Sequence, residues 1–280
     1  MKPLLLILLL LIPQSLAIMK MIQIFGKVAY GNFPGTFSRS SKCASECFNL
    51  NDCILSWRPS NESCYHYSYL DQPETITVVE TGREENSVVA FKTIITGTTC
   101  PISYTDMEFK MTIPSDDTYS WKKTGNSWSL NGCRDGWTQF DRTNGISVCM
   151  KAFEVTYLKR QDAPSWCSTQ KNATMIGMAS VEESQWVHDQ LHSTYNYYGY
   201  WVDGTLTCLP TCDFSTLNYT DGFTTGSAAL TTTNFHMGEG GYQSMYLAVA
   251  TLSHVKPATM LPSSGNSPAG GIVCGYQLKN

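Results

Sequence analysis

The chain has 280 residues, with 19 Lys and Arg against 23 Asp and Glu, a net charge of −4, and 11 cysteines. At roughly 100 to 200 residues per domain this length predicts two domains, and the charge leaves no broad basic face to neutralise a phosphate backbone, which argues against nucleic-acid binding. A hydrophobic share of 42% with 7 Trp supplies enough apolar surface for folded cores and argues against a disordered chain.

Residues 1–17 read as a secretory signal peptide. Lys2 supplies the positive charge, Leu4 to Ile12 is unbroken apolar sequence, Pro13 interrupts it, and Ser15-Leu16-Ala17 offers small residues for cleavage after Ala17. The run is too short to span a bilayer, which takes about 20 residues, and the C-terminal sequence lacks the hydrophobic tail of a lipid anchor. The expectation is a secreted, extracellular chain without a membrane span. In an oxidising compartment the cysteines are disulfide candidates rather than redox or zinc residues. Eleven is odd, so at least one is unpaired or pairs outside the chain. Three sequons, at Asn61, Asn172 and Asn218, are glycosylation candidates of the same compartment.

Cysteine spacing divides the remainder into two blocks. Cys43, Cys47, Cys53 and Cys64 lie close together, and strand-like pieces follow at Ile76 to Val79 and Val88 to Ile95. Ser40 or Ser41 can cap a short helix over Lys42 to Leu50, with Cys43 and Cys47 on one face. A helix this short is marginal alone, so two bridges would hold it down. The nested pairing Cys43–Cys64 and Cys47–Cys53 suits that geometry, although four cysteines allow three connectivities. These residues, with Trp57 and Tyr65, resemble the PAN/apple superfamily in its nematode CW variety, over residues 18–95. The resemblance implies a disulfide-pinned helix on a small antiparallel sheet, used for protein or carbohydrate contacts rather than chemistry. Residues 96–130, rich in Thr, Ser, Gly and Lys, read as a linker and irregular lead-in.

The second block is expected at residues 131–280. Thr143-Asn144-Gly145 predicts a tight hairpin, which a Cys133–Cys149 bridge would close. Asp162 can cap a helix over Ala163 to Lys171 that carries Trp166 and Cys167, and Ser180-Val181-Glu182-Glu183 is a capping box for a second helix to about Leu191. Ile272, Cys274, Tyr276 and Leu278 alternate with smaller or polar residues, as in a half-buried strand. A Cys167–Cys274 bridge would tie the first helix to this last strand. The order Cys133, Gly136-Trp137, Phe140, Cys149, Trp166-Cys167, Ser180 with Glu183, Trp201-Val202-Asp203-Gly204, Asp221-Gly222 and Cys274 with Tyr276 resembles a long-form C-type lectin-like domain. The expected fold class is therefore α+β: a small PAN/apple-like module plus a C-type lectin-like fold with two helices, antiparallel sheets and a long loop region. The combination resembles secreted nematode proteins.

The lectin family's calcium site needs several carboxylates, because calcium takes six to eight hard oxygens. From Gly222 to Asn280 the only acidic residue is Glu239, so calcium is disfavoured and no cofactor is expected. The family's second bridge is also missing, which leaves Cys100, Cys208 and Cys212: either Cys208 bonds Cys212 with Cys100 free, or Cys100 bonds one of them. His188 and His192, four apart on a helix, approach the zinc-protease pattern; no third ligand is evident, and a polar helix face explains them better. Tyr200 and Trp201 read as core strand, while Tyr195, Tyr197 and Tyr198 stay open between stacking and flanking roles. No nucleophile motif is present. Together these readings predict a secreted, non-catalytic recognition protein that binds carbohydrate or glycoprotein without calcium, with a role in innate immunity implied by the resemblance. The alternative is a protein-interaction module on a lectin fold that has lost sugar binding. Its surface is expected between Gly204 and Gly271, with Asp203, Asp221 and Glu239 as ligand-binding candidates and no nucleic-acid partner.

Overall fold

The computed structural model describes residues 17–29, 34–96, 107–190, 198–208, 212–230, 244–249, 260–263, 265 and 268–279. The expected signal peptide lies outside these residues up to position 16, and the described chain starts in a strand at Ala17.

Among the described residues the first half is one nine-stranded sheet and a single α-helix. Its strands are β1 (Ala17–Val28), β2 (Thr36–Ser38), β3 (Cys53–Arg58), β4 (Cys64–Ser68), β5 (Thr75–Glu80), β6 (Val88–Thr96), β7 (Lys110–Thr112), β8 (Thr118–Thr124) and β9 (Ser127–Asn131), in the order β2-β4-β3-β6-β1-β5-β9-β8-β7. The helix α1 (Cys43–Asn49) joins β2 to β3. Strand alternation sends Ile22, Ile24, Leu55, Val89 and Phe91 to one face, where they form the core with Phe109, Trp121 and Trp128. Phe91 and Phe109 stack at 4.3 Å. The sheet curls so that its far end returns to β6: Lys110 N–H donates to Thr93 Oγ1, and that hydroxyl donates to the Lys110 carbonyl.

Of the segment read as a linker, residues 97–106 lie outside the described residues, and the part from Lys110 is regular structure. This part is three strands that extend the first sheet through the β5–β9 pairing. Within the three strands, Thr112, Thr118, Ser120, Thr124, Ser127 and Ser129 sit at outward positions, while Met111, Tyr119, Trp121, Trp128 and Leu130 alternate inward.

Among the described residues the second half is an eight-stranded sheet with two helices. Its elements are β10 (Thr138–Asp141), β11 (Ser147–Leu158), α2 (Ala163–Lys171), β12 (Thr174–Met175), α3 (Val181–Asp189), β13 (Tyr198–Cys208), β14 (Cys212–Asn218), β15 (Ser244–Val249), β16 (Met260–Ser263) and β17 (Ala269–Gln277). The order is β10-β11-β17-β13-β15-β16, with β12 on β17 and β14 on β13. Arg142 to Ile146 make the predicted hairpin, with Gly145 at φ 81°, a conformation that costs glycine little. Strand β17 is buried from Ala269 through Tyr276 and not on alternate residues. It lies between β11 and β13, and glycines at 270, 271 and 275 make it compatible with packing on both faces.

Strands hold about half of the described residues, against three short α-helices. This corrects the expected α+β class: the chain is mostly β, and it is not the long-form C-type lectin-like architecture that the motif order suggested. Helices of seven and nine residues are too few and too short to form a layer of their own, and the strand propensity of the Thr, Val, Tyr and Trp positions prevails. The two sheets meet where Lys279 bonds the backbone of Gln72 and Glu74. Arg134 adds a buried tie, donating to the carbonyls of Lys171 and Asn172 and pairing with Asp117 at 3.3 Å.

Candidate functional site

In the first half, register builds a helix-covered face from distant segments. Gln23 pairs with Ala90, Ala90 with Ser56, and Ser56 with His66, so these four residues form one row across β1, β6, β3 and β4. Helix α1 lies over that row, because His66 Nε2 is 3.2 Å from the Cys43 carbonyl oxygen. Disulfides Cys43–Cys64 and Cys47–Cys53 fasten the helix to β4 and β3. Buried Lys92 fastens its end, donating to the Leu50 carbonyl at 2.5 Å, and burial lowers its pKa. Neither Ser40 nor Ser41 caps α1; Ser40 Oγ instead accepts from Lys42 N–H, one residue before the helix.

A cavity of about 200 Å³ opens between the start of α1 and this row. Ser56, Ala90 and Val88 line it from the sheet, with Gln23, Arg58, Lys42, Ser41 and Ser45 around it. Ser56 is 2% exposed, whereas Gln23, Lys42 and Arg58 are exposed. The lining therefore presents hydroxyls, an amide and two cations on a scaffold held by two disulfides.

Beneath α1, Cys43, Cys64 and His66 bring potential metal-ligating atoms within 4.8 Å of one another. The two sulfurs are bonded to each other, so neither is a thiolate, and the trio does not constitute a metal centre. On the opposite face Tyr67 is buried and its hydroxyl pKa is pushed up to about 12, chiefly by desolvation.

In the second half the polar residues are turned inward. Asp203 is 0% exposed; its carboxylate accepts from Asp221 N–H at 2.9 Å, from Thr220 Oγ1 at 2.9 Å and from Thr220 N–H. Asp221 accepts from Gly177 N–H and Thr224 N–H, both at 2.8 Å, and from the Thr224 hydroxyl at 2.5 Å. Both had been expected to face a ligand; instead their oxygens organise the chain around residues 177 and 220–224. Glu239 lies outside the described residues. Arg142 and Glu183 complete the cluster with two bonds, at 2.8 and 2.9 Å, while Arg142 also reaches Thr224 Oγ1 and the Gly177 carbonyl. The capping box at α3 thus has a second duty: Ser180 Oγ accepts from Glu183 N–H, and Glu183 Oε2 accepts from Ala179 N–H. Desolvation holds the neighbouring Tyr219 hydroxyl well above its usual range, with the Asp221 and Asp203 charges adding to the effect.

Other sequence candidates fall as follows. Cys133 bonds Cys149, and Cys167 bonds Cys274. Cys208 and Cys212 are backbone partners at the β13–β14 turn, but their side chains and Cys100 lie outside the described residues. Asp162 does not cap α2, since its own backbone is helical. Asn61, Asn172 and Asn218 are all exposed. His188 lies on α3, His192 lies outside the described residues, and His188 joins no ligand cluster among those described. Tyr200 and Trp201 are buried in β13, with Trp201 Nε1 donating to the Leu158 carbonyl. Tyr195, Tyr197 and the Tyr198 side chain lie outside the described residues.

Sequence reasoning missed Gln23, Lys42, Ser56 and Arg58. Each is an unremarked polar residue in its own segment, and only the strand register brings them together. The two-residue spacing of Ser56 and Arg58, which puts both on one face of β3, was the sole local signal.

No curated protein matches the chain. Residues 21–93, which carry most of β1, α1, both of its disulfides and the cavity, match the family model of a PAN-like domain.

Proposed function

We propose that this protein is a secreted, non-catalytic recognition protein that binds carbohydrate or glycoprotein without calcium, through its PAN-like domain. PAN domains are modules that bind protein or carbohydrate. The observation that carries the reading is the cavity beside α1: hydroxyl, amide and cationic groups surround a concave site whose walls are fixed by Cys43–Cys64 and Cys47–Cys53. Sugars are recognised by convergent polar groups of this type, and pre-fixed walls lower the ordering cost of binding. Calcium independence is supported by the scarcity of carboxylates after Gly222 and by the second half, where the Asp203 and Asp221 oxygens accept from N–H and O–H donors. Secretion is supported by the N-terminal sequence, the disulfides and three exposed sequons; among the described residues no helix is long and apolar enough to cross a membrane.

The test is a glycan array with the mature protein, run in calcium and again in a chelator. Binding that survives chelation is expected. Binding lost with the chelator would contradict calcium independence, and silence from protein shown to be folded would contradict the carbohydrate reading in favour of a protein partner.

A further inference from the structure

The cavity's charge points to a narrower ligand class, given the recognition role proposed above. We infer that it takes an anionic group carried on a sugar, a sulfate ester or a carboxylate. Among the described residues that line the cavity, two are cations, Lys42 and Arg58, and none carries a carboxylate. The chain as a whole has the opposite sign, with a net charge of −4.

The other arginines described in tight environments already have acidic partners. Arg134 pairs with Asp117, Arg142 with Glu183 and Arg160 with Asp203. Lys42 and Arg58 take part in no ion pair among the described residues, and both are exposed at the cavity. An arginine fork matches the paired oxygens of a carboxylate or sulfate, and lysine adds a point charge. Hydroxyls of Ser41, Ser45 and Ser56 and the amide of Gln23 supply neutral donors around them.

Size sets a further limit. A volume of about 200 Å³ is below the ~300 to 1,000 Å³ of sites that enclose a drug-sized ligand. The cavity therefore accepts one sugar ring or its charged substituent, with the rest of the glycan outside.

The experiment is calorimetric titration of the full mature chain with three oligosaccharides of equal length: sulfated, carboxylated and neutral. Each is run at low and high salt, with Arg58→Ala and Lys42→Ala beside the natural sequence. The expected result is binding of one or both charged sugars, weakened by salt, and at least about tenfold weaker in Arg58→Ala, which corresponds to ~1.4 kcal/mol. Preference between the two charged sugars identifies the anion. Equal binding of the neutral sugar with no effect of Arg58→Ala would overturn this inference and leave the carbohydrate reading intact. Failure of all three sugars to bind, with unchanged melting curves, would overturn both.

Discussion

The two halves of this chain hold similar side chains and use them in opposite ways. In the second half, Arg142, Glu183, Asp203 and Asp221 are buried and bonded to one another or to backbone. In the first half, Arg58 and Lys42 stand exposed at a cavity beside a helix pinned by local disulfides. Residue identity alone would have favoured the acidic residues as the binding set. Availability separates them: a carboxylate that already accepts three N–H or O–H bonds has little left for a ligand, while an exposed guanidinium retains its donors.

The contrast can be broken at its strongest point, the long bridge of the second half. Cys167–Cys274 spans 107 residues and Cys47–Cys53 only 6. Replacing the first pair by serines should cost about 4 to 5 kcal/mol in the chain-entropy description, and the second pair about 2 kcal/mol. Denaturant unfolding of the two variants checks the order, and equal losses would contradict it.

Arg142→Ala removes one partner of a buried ion pair and leaves Glu183 uncompensated, for an expected loss of about 3 to 5 kcal/mol by the same measurement. In the first half, Lys92→Met should cost about 1 to 3 kcal/mol, because the Leu50 and Cys47 carbonyls lose a donor at the end of α1.

Alkaline pH probes both halves. Tyr67 in the first has its pKa raised to about 12, and Tyr219 and Tyr276 in the second are raised as well, all mainly by burial. The unfolded chain loses these protons from about pH 10, before the folded chain does, so stability is retained below pH 10 and falls as pH rises through the folded values. Tyr67 alone contributes at most about 3 kcal/mol of that fall, and Tyr67→Phe should flatten the curve between pH 10 and 12. Arg58→Ala should have the smallest effect on stability, within about 0.5 kcal/mol, as for an exposed position. Its effect belongs to binding.

Local elements were legible where sequence chemistry is local. The helix over Ala163 to Lys171 needed only its own residues, and the turn at Asn144-Gly145 needed only its positive φ. The strands at Thr75–Glu80 and Val88–Thr96 showed in their β-branched runs. The fold class did not follow from such elements. Motif order along residues 131–280 resembled an α+β domain, yet β17 is buried on both faces, and β7 to β9 extend the first sheet from a segment whose composition read as a linker.

The candidate site was less legible than the fold. Asp203 and Asp221 stood out because they lie in the motifs that carried the lectin resemblance, but a motif does not show which way a carboxylate turns. Gln23, Ser56 and Arg58 become neighbours only through the pairing of β1, β6 and β3, which no local pattern specifies.

Hydrogen exchange, with and without a saturating acidic oligosaccharide, would test most directly where recognition resides. The account predicts slower exchange in peptides that cover Ser41 to Ser45, Ser56 to Arg58 and Val88 to Ala90, the segments around the cavity. Protection confined to the region between Gly204 and Gly271, with those segments unchanged, would contradict it.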